Sequence, residues 1–356
     1  MTAADEAGGA GVPSGPVVLF ALGGTISMAG RGVGGVMPRL TGRDLLDSVA
    51  ARGPAAGATG DRATDSGGLA GIDVEVHDAP AVPSPNLTFG DILDVVAAAG
   101  DAVAGGARGV VVTQGTDTLE ETAFLVDSVW PHDAPFVLTG AMRNPTLPGA
   151  DGPANIAAAL AVAASGAARG RGALVVMDDD IHAARFVRKA HSTSTAAFVS
   201  PDAGPLGHLV ETVPRFLVDV PRRRPVTGFT REAVAATRIA LYPMTLDDDG
   251  AFLRDLERTH HGLVVAGFGV GHVPAALAPV LGGIAAAVPV VLTSRTGAGP
   301  VLSATYGAVG SERDLRERGL IGGGYAHPYQ ARVLLRLLVA AGASTDAITR
   351  AFAELG

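Results

Sequence analysis

The chain has 356 residues, 47% hydrophobic and 17% charged, with a net charge of −8 and no cysteine. That length suggests two domains or one large one. The acidic balance argues against a nucleic-acid binder, which shows a basic footprint. The missing cysteines exclude disulfides, thiolate nucleophiles and Cys-ligated metals. The first fifteen residues, MTAADEAGGAGVPSG, carry two acids, no base and no long apolar stretch. They lack the shape of a signal peptide, so residues 1–14 are expected to be a flexible tail on a cytoplasmic protein.

Short apolar runs alternate with helical periods, the pattern of βαβ units and a largely parallel sheet. Buried strands are expected at 17–21, 72–77, 109–113, 136–139 and 173–177. Three helix starts carry an acid three residues after a capping residue: Thr41 with Asp44, Thr88 with Asp91, and Asp117 with Glu120. Residues 52–71 are rich in Gly, Ala, Asp and Thr without periodicity and read as a surface loop. Past residue 205, segments 206–210 and 216–218 could pair as short strands. The run VPRRRPVTGF then reads as a solvated linker rather than an anion-binding patch. A second α/β set follows, with strands expected at 238–241, 262–266 and 288–292 and helices at 273–286, 328–341 and 345–354. The fold class is therefore α/β, with a larger N-terminal unit over 15–217, a linker over 218–235 and a smaller C-terminal unit over 236–356. The apolar stretch 263–293 holds His272, Pro274, Pro279 and Pro289. It fits a buried strand–helix–strand better than a membrane span.

Candidate chemistry gathers at strand ends. LGGTIS (22–27) follows the first strand, placing Thr25 and backbone N–H groups at the sheet edge where open α/β sheets bind ligands. This turn lacks the dinucleotide fingerprint, and no phosphate-binding GxxxxGK[ST] occurs in the chain. VVTQGTDTLEETAF (111–124) ends the third strand with Thr116 and Asp117. Asp117 on its own could be a helix cap. The cations are 26 arginines and one lysine, Lys189. Arginine stays protonated in proteins, whereas a lysine can exchange its proton. Two strand-end hydroxyls, a carboxylate and this lysine suffice for threonine-based nucleophilic catalysis, since a threonine hydroxyl needs a base. There is no G-x-S-x-G, and no zinc pattern among the nine histidines. The runs 178–180 and 247–249 lack calcium-loop spacing and read as solvated turns.

These segments resemble the bacterial-type L-asparaginases, the threonine amidohydrolases of the asparaginase/glutaminase family. LGGTIS and VVTQGTDTLEETAF resemble the two family signatures. LTGAMR (138–143), ADGPANI (150–156), GALVVMDD (172–179) and ARVLL (331–335) follow in the same order. The resemblance implies hydrolysis of L-asparagine, with L-glutamine a further candidate, to the acid and ammonia without cofactor or metal. It implies Thr25 as nucleophile and Thr116, Asp117 and Lys189 as a second triad. Ser84 would hold the substrate α-carboxylate, and Asp117 the α-ammonium. Glu312, in GSERDLRERG, matches a carboxylate that reaches the ammonium from a neighbouring subunit, or else is a surface ion-pair residue. His272, in GFGVGH, stands where the family often has asparagine, or else is a plain surface histidine. A homotetramer or dimer with a composite active site is implied, with no nucleic-acid or membrane partner. Two departures stand out. The lid tyrosine common in the family is missing, with Gly35 aligned there, and Pro85 replaces a common glutamine. Two rivals use the same fold: the amidase subunit of a tRNA-dependent amidotransferase, and a non-catalytic amino-acid sensor. An unrelated nucleotide-binding α/β domain lacks its phosphate motifs.

Overall fold

The computed structural model describes residues 14–29, 37–38, 40–50, 71–78 and 82–355. The expected tail up to residue 13, nearly all of the loop 52–71, and Gly35 lie outside the described residues.

The strands, in chain order, are β1 (Val17–Ala21), β2 (Met28–Ala29), β3 (Met37–Pro38), β4 (Val74–Asp78), β5 (Gly109–Thr113), β6 (Phe136–Thr139), β7 (Ala173–Met177), β8 (Asp180–Ala183), β9 (Arg188–Lys189), β10 (Phe198–Val199), β11 (Gly207–Val210) and β12 (Val213–Phe216) in the first half. The second half adds β13 (Ile239–Pro243), β14 (Gly262–Gly267), β15 (Val290–Ser294) and β16 (Ile321–Gly322). The α-helices are α1 (Gly42–Ala50), α2 (Phe89–Ala104), α3 (Leu119–Val129), α4 (Gly152–Ala164), α5 (Arg231–Ala236), α6 (Ala278–Ala285), α7 (Glu312–Glu317), α8 (Pro328–Ala340) and α9 (Thr345–Ala353).

The larger sheet runs β12-β11-β8-β7-β6-β5-β1-β4. Strands β4, β1, β5, β6 and β7 are parallel, and β8, β11 and β12 continue the sheet antiparallel. The second sheet, β13-β14-β15-β16, is parallel throughout. Two α/β units with a larger, mostly parallel N-terminal sheet are thus what the sequence pattern implies. Strands covered on both faces need apolar residues at every position, and β1, β5, β6 and β7 are buried along their whole length. Alternate residues serve opposite faces. Val18 and Phe20 enter the core under α2 and α3, while Val17 and Leu19 enter the core under α1 and α4. Burying one such side chain contributes about 1.5–3 kcal/mol. The α2/α3 core does not stop at the first sheet. It runs on through Leu334 and Leu337 of α8 to Ile239, Val264 and Val291 of the second sheet.

Several local expectations shift. The hairpin β11–β12 turns on Glu211 and Thr212, both at positive φ, so its second strand starts at Val213 rather than 216. The turn at Asp178 and Asp179 is two residues long with both φ positive, and Asp180 already belongs to the antiparallel β8. Residues 273–277 do not join α6, which begins at Ala278 with proline at its first turn. The basic run is no solvated linker. Arg222 donates to the carbonyls of His132 and Trp130, and the Arg223 guanidinium lies 5.8 Å from the centre of the Phe124 ring. The N-terminal unit offers bare carbonyls at and just past the end of α3, and Arg222 satisfies them. Among the described residues, no helix is long and apolar enough to cross a membrane.

Candidate active site

The parallel register of β1 and β5 decides what their ends can meet. Ala21 lies opposite Thr113, and the Leu22 N–H donates to the Thr113 carbonyl. The chain therefore leaves both strands side by side. Beyond them, Gly23 and Gly24 take φ of 88° and 93°, a region L side chains rarely adopt. A Cβ on Gly24 would lie 2.2 Å from the Gly115 nitrogen. The turns bearing Thr25 and Thr116 thus pack backbone to backbone, and glycine is needed for that approach. A single 3₁₀ turn, Thr25–Ser27, follows, and the Ser27 hydroxyl ties it back to the Gly24 carbonyl at 2.9 Å. Thr25 stays part-exposed while Ile26 and Ser27 are buried.

Ser84 arrives from a third direction. It opens the 3₁₀ turn Ser84–Asn86, with Pro85 inside it, and is buried. Its hydroxyl packs so closely on Gly115 that a Cβ there would come within 2.7 Å of Oγ. The Thr118 hydroxyl donates to the Ser84 carbonyl at 3.1 Å and accepts from the Gln114 side chain at 3.1 Å. Gln114 also donates to Thr122 at 3.0 Å. This part-buried chain of hydrogen bonds fixes the Ser84 turn to the β5–α3 junction.

Lys189 comes from the short β9, which pairs antiparallel with β10. Its Nζ lies 2.9 Å from Thr116 Oγ1 and 2.6 Å from Asp117 Oδ1. The lysine side chain is 13% exposed and that of Asp117 64%, so the amine is sheltered and the carboxylate faces outward. Asp117 is not a helix cap. The residue preceding α3 is Thr118, which makes no side-chain capping bond. The expected Asp117–Glu120 capping pair does not form, unlike Thr41–Asp44 and Thr88–Asp91, which do.

The sequence pattern read Glu120 only as the capping partner of Asp117. Glu120 is buried, and its Oε2 accepts the Lys189 backbone N–H at 3.0 Å. Burial raises its pKa, against the pull of that amide and of Arg188. The double acid in LEET was the available signal, since a carboxylate facing the core of an amphipathic helix calls for a partner. A second unpredicted group is His191. Its Nδ1 accepts the backbone N–H groups of Thr193 and Ser194 at 3.1 and 3.0 Å. That leaves Nε2 to carry the proton, and the ring lines the same open depression as Asp117 and Lys189. Asp151 and Asn155 of ADGPANI anchor the next strand end. Asp151 accepts from the Met142 and Arg143 amides, and Asn155 donates to the Gly140 carbonyl.

The two C-terminal candidates form a separate pair. His272 Nε2 lies 3.3 Å from Glu312 Oε2, and the His272 ring meets Tyr306 edge-on at 4.9 Å. Glu312, the first residue of α7, is fully buried, so it is no surface ion-pair residue. Burial works against its charge, but the amides of Tyr306 and Thr305, donating to Oε1 at 2.7 and 2.8 Å, outweigh it and hold the carboxyl below its usual range. Among the described residues, no hydrogen bond or ion pair joins this pair to Thr25, Ser84, Thr116, Asp117 or Lys189. One chain brings the N-terminal residues together and leaves His272 and Glu312 in their own lobe. Among the described residues, no group of three or more His, Asp or Glu side chains could hold a metal ion.

Comparison with known proteins gives the same outline. A probable L-asparaginase of Deinococcus radiodurans is 38% identical over 294 residues, covering 81% of this chain and 88% of that protein. An L-asparaginase of Bacillus licheniformis is 33% identical over 272 residues, covering 76% and 83%. The crystal structure of a probable cytoplasmic L-asparaginase from Campylobacter jejuni superposes with a TM-score of 0.81 at 27% identity, covering 95% of this chain and 99% of that one. Residues 16–220 match the asparaginase N-terminal domain family and residues 238–352 the glutaminase/asparaginase C-terminal domain family. With both matched units in order along most of its length, the chain belongs to the asparaginase family.

Proposed function

We propose that this enzyme hydrolyses L-asparagine to L-aspartate and ammonia through a threonine acyl-enzyme. The contact that carries this reading is Lys189 Nζ within hydrogen-bond distance of both Thr116 and Asp117. Thr25 Oγ attacks the side-chain amide carbon, and backbone N–H groups of the two back-to-back turns stabilise the oxyanion, each such donor contributing about 10²–10³ in rate. The C–N bond breaks, and the amide nitrogen leaves as ammonia with the proton given up by the threonine. Water activated by Thr116 with Lys189 and Asp117 then hydrolyses the ester and restores the Thr25 hydroxyl. Ser84 receives the substrate α-carboxylate and Asp117 its α-ammonium. The ionised Glu312, aligned by its two amide donors, adds a second ammonium contact from a neighbouring chain, which makes the enzyme a homo-oligomer. Placement in the cytoplasm, domain limits of 15–217 and 236–356, and action without a cofactor belong to the same reading.

The test is ammonia release from L-asparagine and L-glutamine by the wild type and by Thr25→Ala. Release from asparagine that vanishes in the variant is the expected result. Ammonia release by Thr25→Ala at the wild-type rate would remove the nucleophile from this scheme. No release by the wild type would favour the sensor reading.

A further inference from the structure

Between α2, α3 and α8 lies a cleft of about 340 Å³, within the usual range for small-molecule sites. Its floor is apolar, with Leu87, Ile92 and Leu125. Its walls are charged in an unusual way. Arg332 and Arg336 project from successive turns of α8, near enough that Arg332, after burial, holds the Arg336 guanidinium below its ordinary range. Each spends its Nε on a backbone carbonyl, of Ile239 and Val234 respectively, and Arg336 also donates from Nη2 to the Ala235 carbonyl at 3.4 Å and lies 4.3 Å from the centre of the Phe89 ring. Facing them is Glu121, partly buried, with its carboxyl raised by burial and only weakly countered by Arg332. Among the described residues Glu121 makes no hydrogen bond and no ion pair within 4 Å. A carboxylate partly withdrawn from water without a hydrogen-bond partner is disfavoured, and two adjacent guanidiniums repel each other. A ligand carrying one anionic and one cationic group at short separation relieves both.

We propose that this cleft is a second binding site for a small α-amino acid, its carboxylate on Arg332 and Arg336 and its ammonium on Glu121. A plain anion would satisfy the arginines but face Glu121, and a plain cation the reverse. The site is coupled to the proposed substrate site. Thr118 lines the cleft, and its hydroxyl holds the Ser84 carbonyl. Whatever shifts Thr118 on occupancy shifts the turn that receives the substrate carboxylate, and binding at one site then alters affinity at the other by the same factor. The choice of ligand rests on the activity proposed above, whose substrate and product are both such amino acids; the cleft and its charges do not.

The experiment is calorimetric titration of the full chain with L-aspartate, which the enzyme cannot hydrolyse. Two classes of site per chain are expected. Glu121→Gln, and separately Arg336→Met, should each weaken one class by about 10- to 100-fold, the scale of a hydrogen bond to a charged group, and leave the other. Inhibition of ammonia release by L-aspartate should change from mixed in the wild type to competitive in Glu121→Gln. A single class unaffected by either variant overturns the proposal, as does acetate binding the cleft as tightly as aspartate. Were the asparaginase reading itself wrong, the Glu121-dependent class would persist and the other would vanish.

Discussion

The cluster around Lys189 and the pair formed by His272 and Glu312 are built on opposite terms. The first draws Thr116, Asp117 and Lys189 from places more than 70 residues apart and closes them by direct contact. The second satisfies a buried carboxylate almost entirely from its own loop, through the amides of Thr305 and Tyr306. One is assembled by the sheet. The other is prepared, charged and oriented, by a single segment. Beside its two amide donors the carboxylate has one side-chain neighbour among the described residues, the His272 ring at 3.3 Å, and Oε2 keeps capacity for a group from another molecule.

The sharpest way to break this contrast is at Lys189. Lys189→Arg keeps the charge and forbids proton exchange, so kcat should fall by about 10²–10⁴, the range for a general acid or base. Thr116→Val should fall as far, while melting temperatures stay near the wild type. An active Lys189→Arg enzyme would reduce the cluster to a structural ion pair. The next effect belongs to Glu312. Glu312→Gln should raise KM for asparagine by about 10- to 100-fold, with a smaller change in kcat, if the carboxylate serves binding. Mixing Glu312→Gln with Thr25→Ala chains under conditions of subunit exchange should regain activity above either alone. No gain would confine each site to one chain.

A smaller effect is expected at Glu120, whose hydrogen bond to Lys189 is made with the backbone N–H. Glu120→Ala should lower kcat by about tenfold with KM little changed, and Glu120→Gln, which keeps the acceptor, should recover most of it. A drop in stability without a change in kcat would make Glu120 part of the core alone. The mildest prediction concerns acid. Burial holds the His182 imidazole down at about 4, with Asp180 pulling the other way, and burial also holds His327 at about 3. In the unfolded chain both titrate near about 6.5. Between those values the unfolded state binds protons that the folded state refuses, so stability falls as pH drops below about 6.5, by about 1.4 kcal/mol per pH unit for each proton. His182→Gln should remove one proton from that slope in urea titrations at pH 5 and 6.

The strands of the first unit were legible because full burial leaves an uninterrupted apolar run. β1, β5, β6 and β7 begin and end where those runs do. β8 was not legible. It lies between β7 and β11 and is buried over Ile181–Ala183, but Asp180 and His182 break the apolar run that marks the parallel strands. The short α5 and α7 have too few turns to show a period. Among site residues, Thr25, Thr116 and Asp117 announced themselves by position at strand ends, and Lys189 by being unique. Glu120 and His191 did not, because one reaches a backbone N–H 69 residues away and the other folds on its own loop. The basic run was misread for the same reason: the acceptors of Arg222 are carbonyls, which no side-chain pattern reveals.

Among the described residues, one apolar core passes from β1 through α3 and α8 into β14 and β15 and ties the two halves together. Heat should accordingly dismantle both halves in a single calorimetric transition.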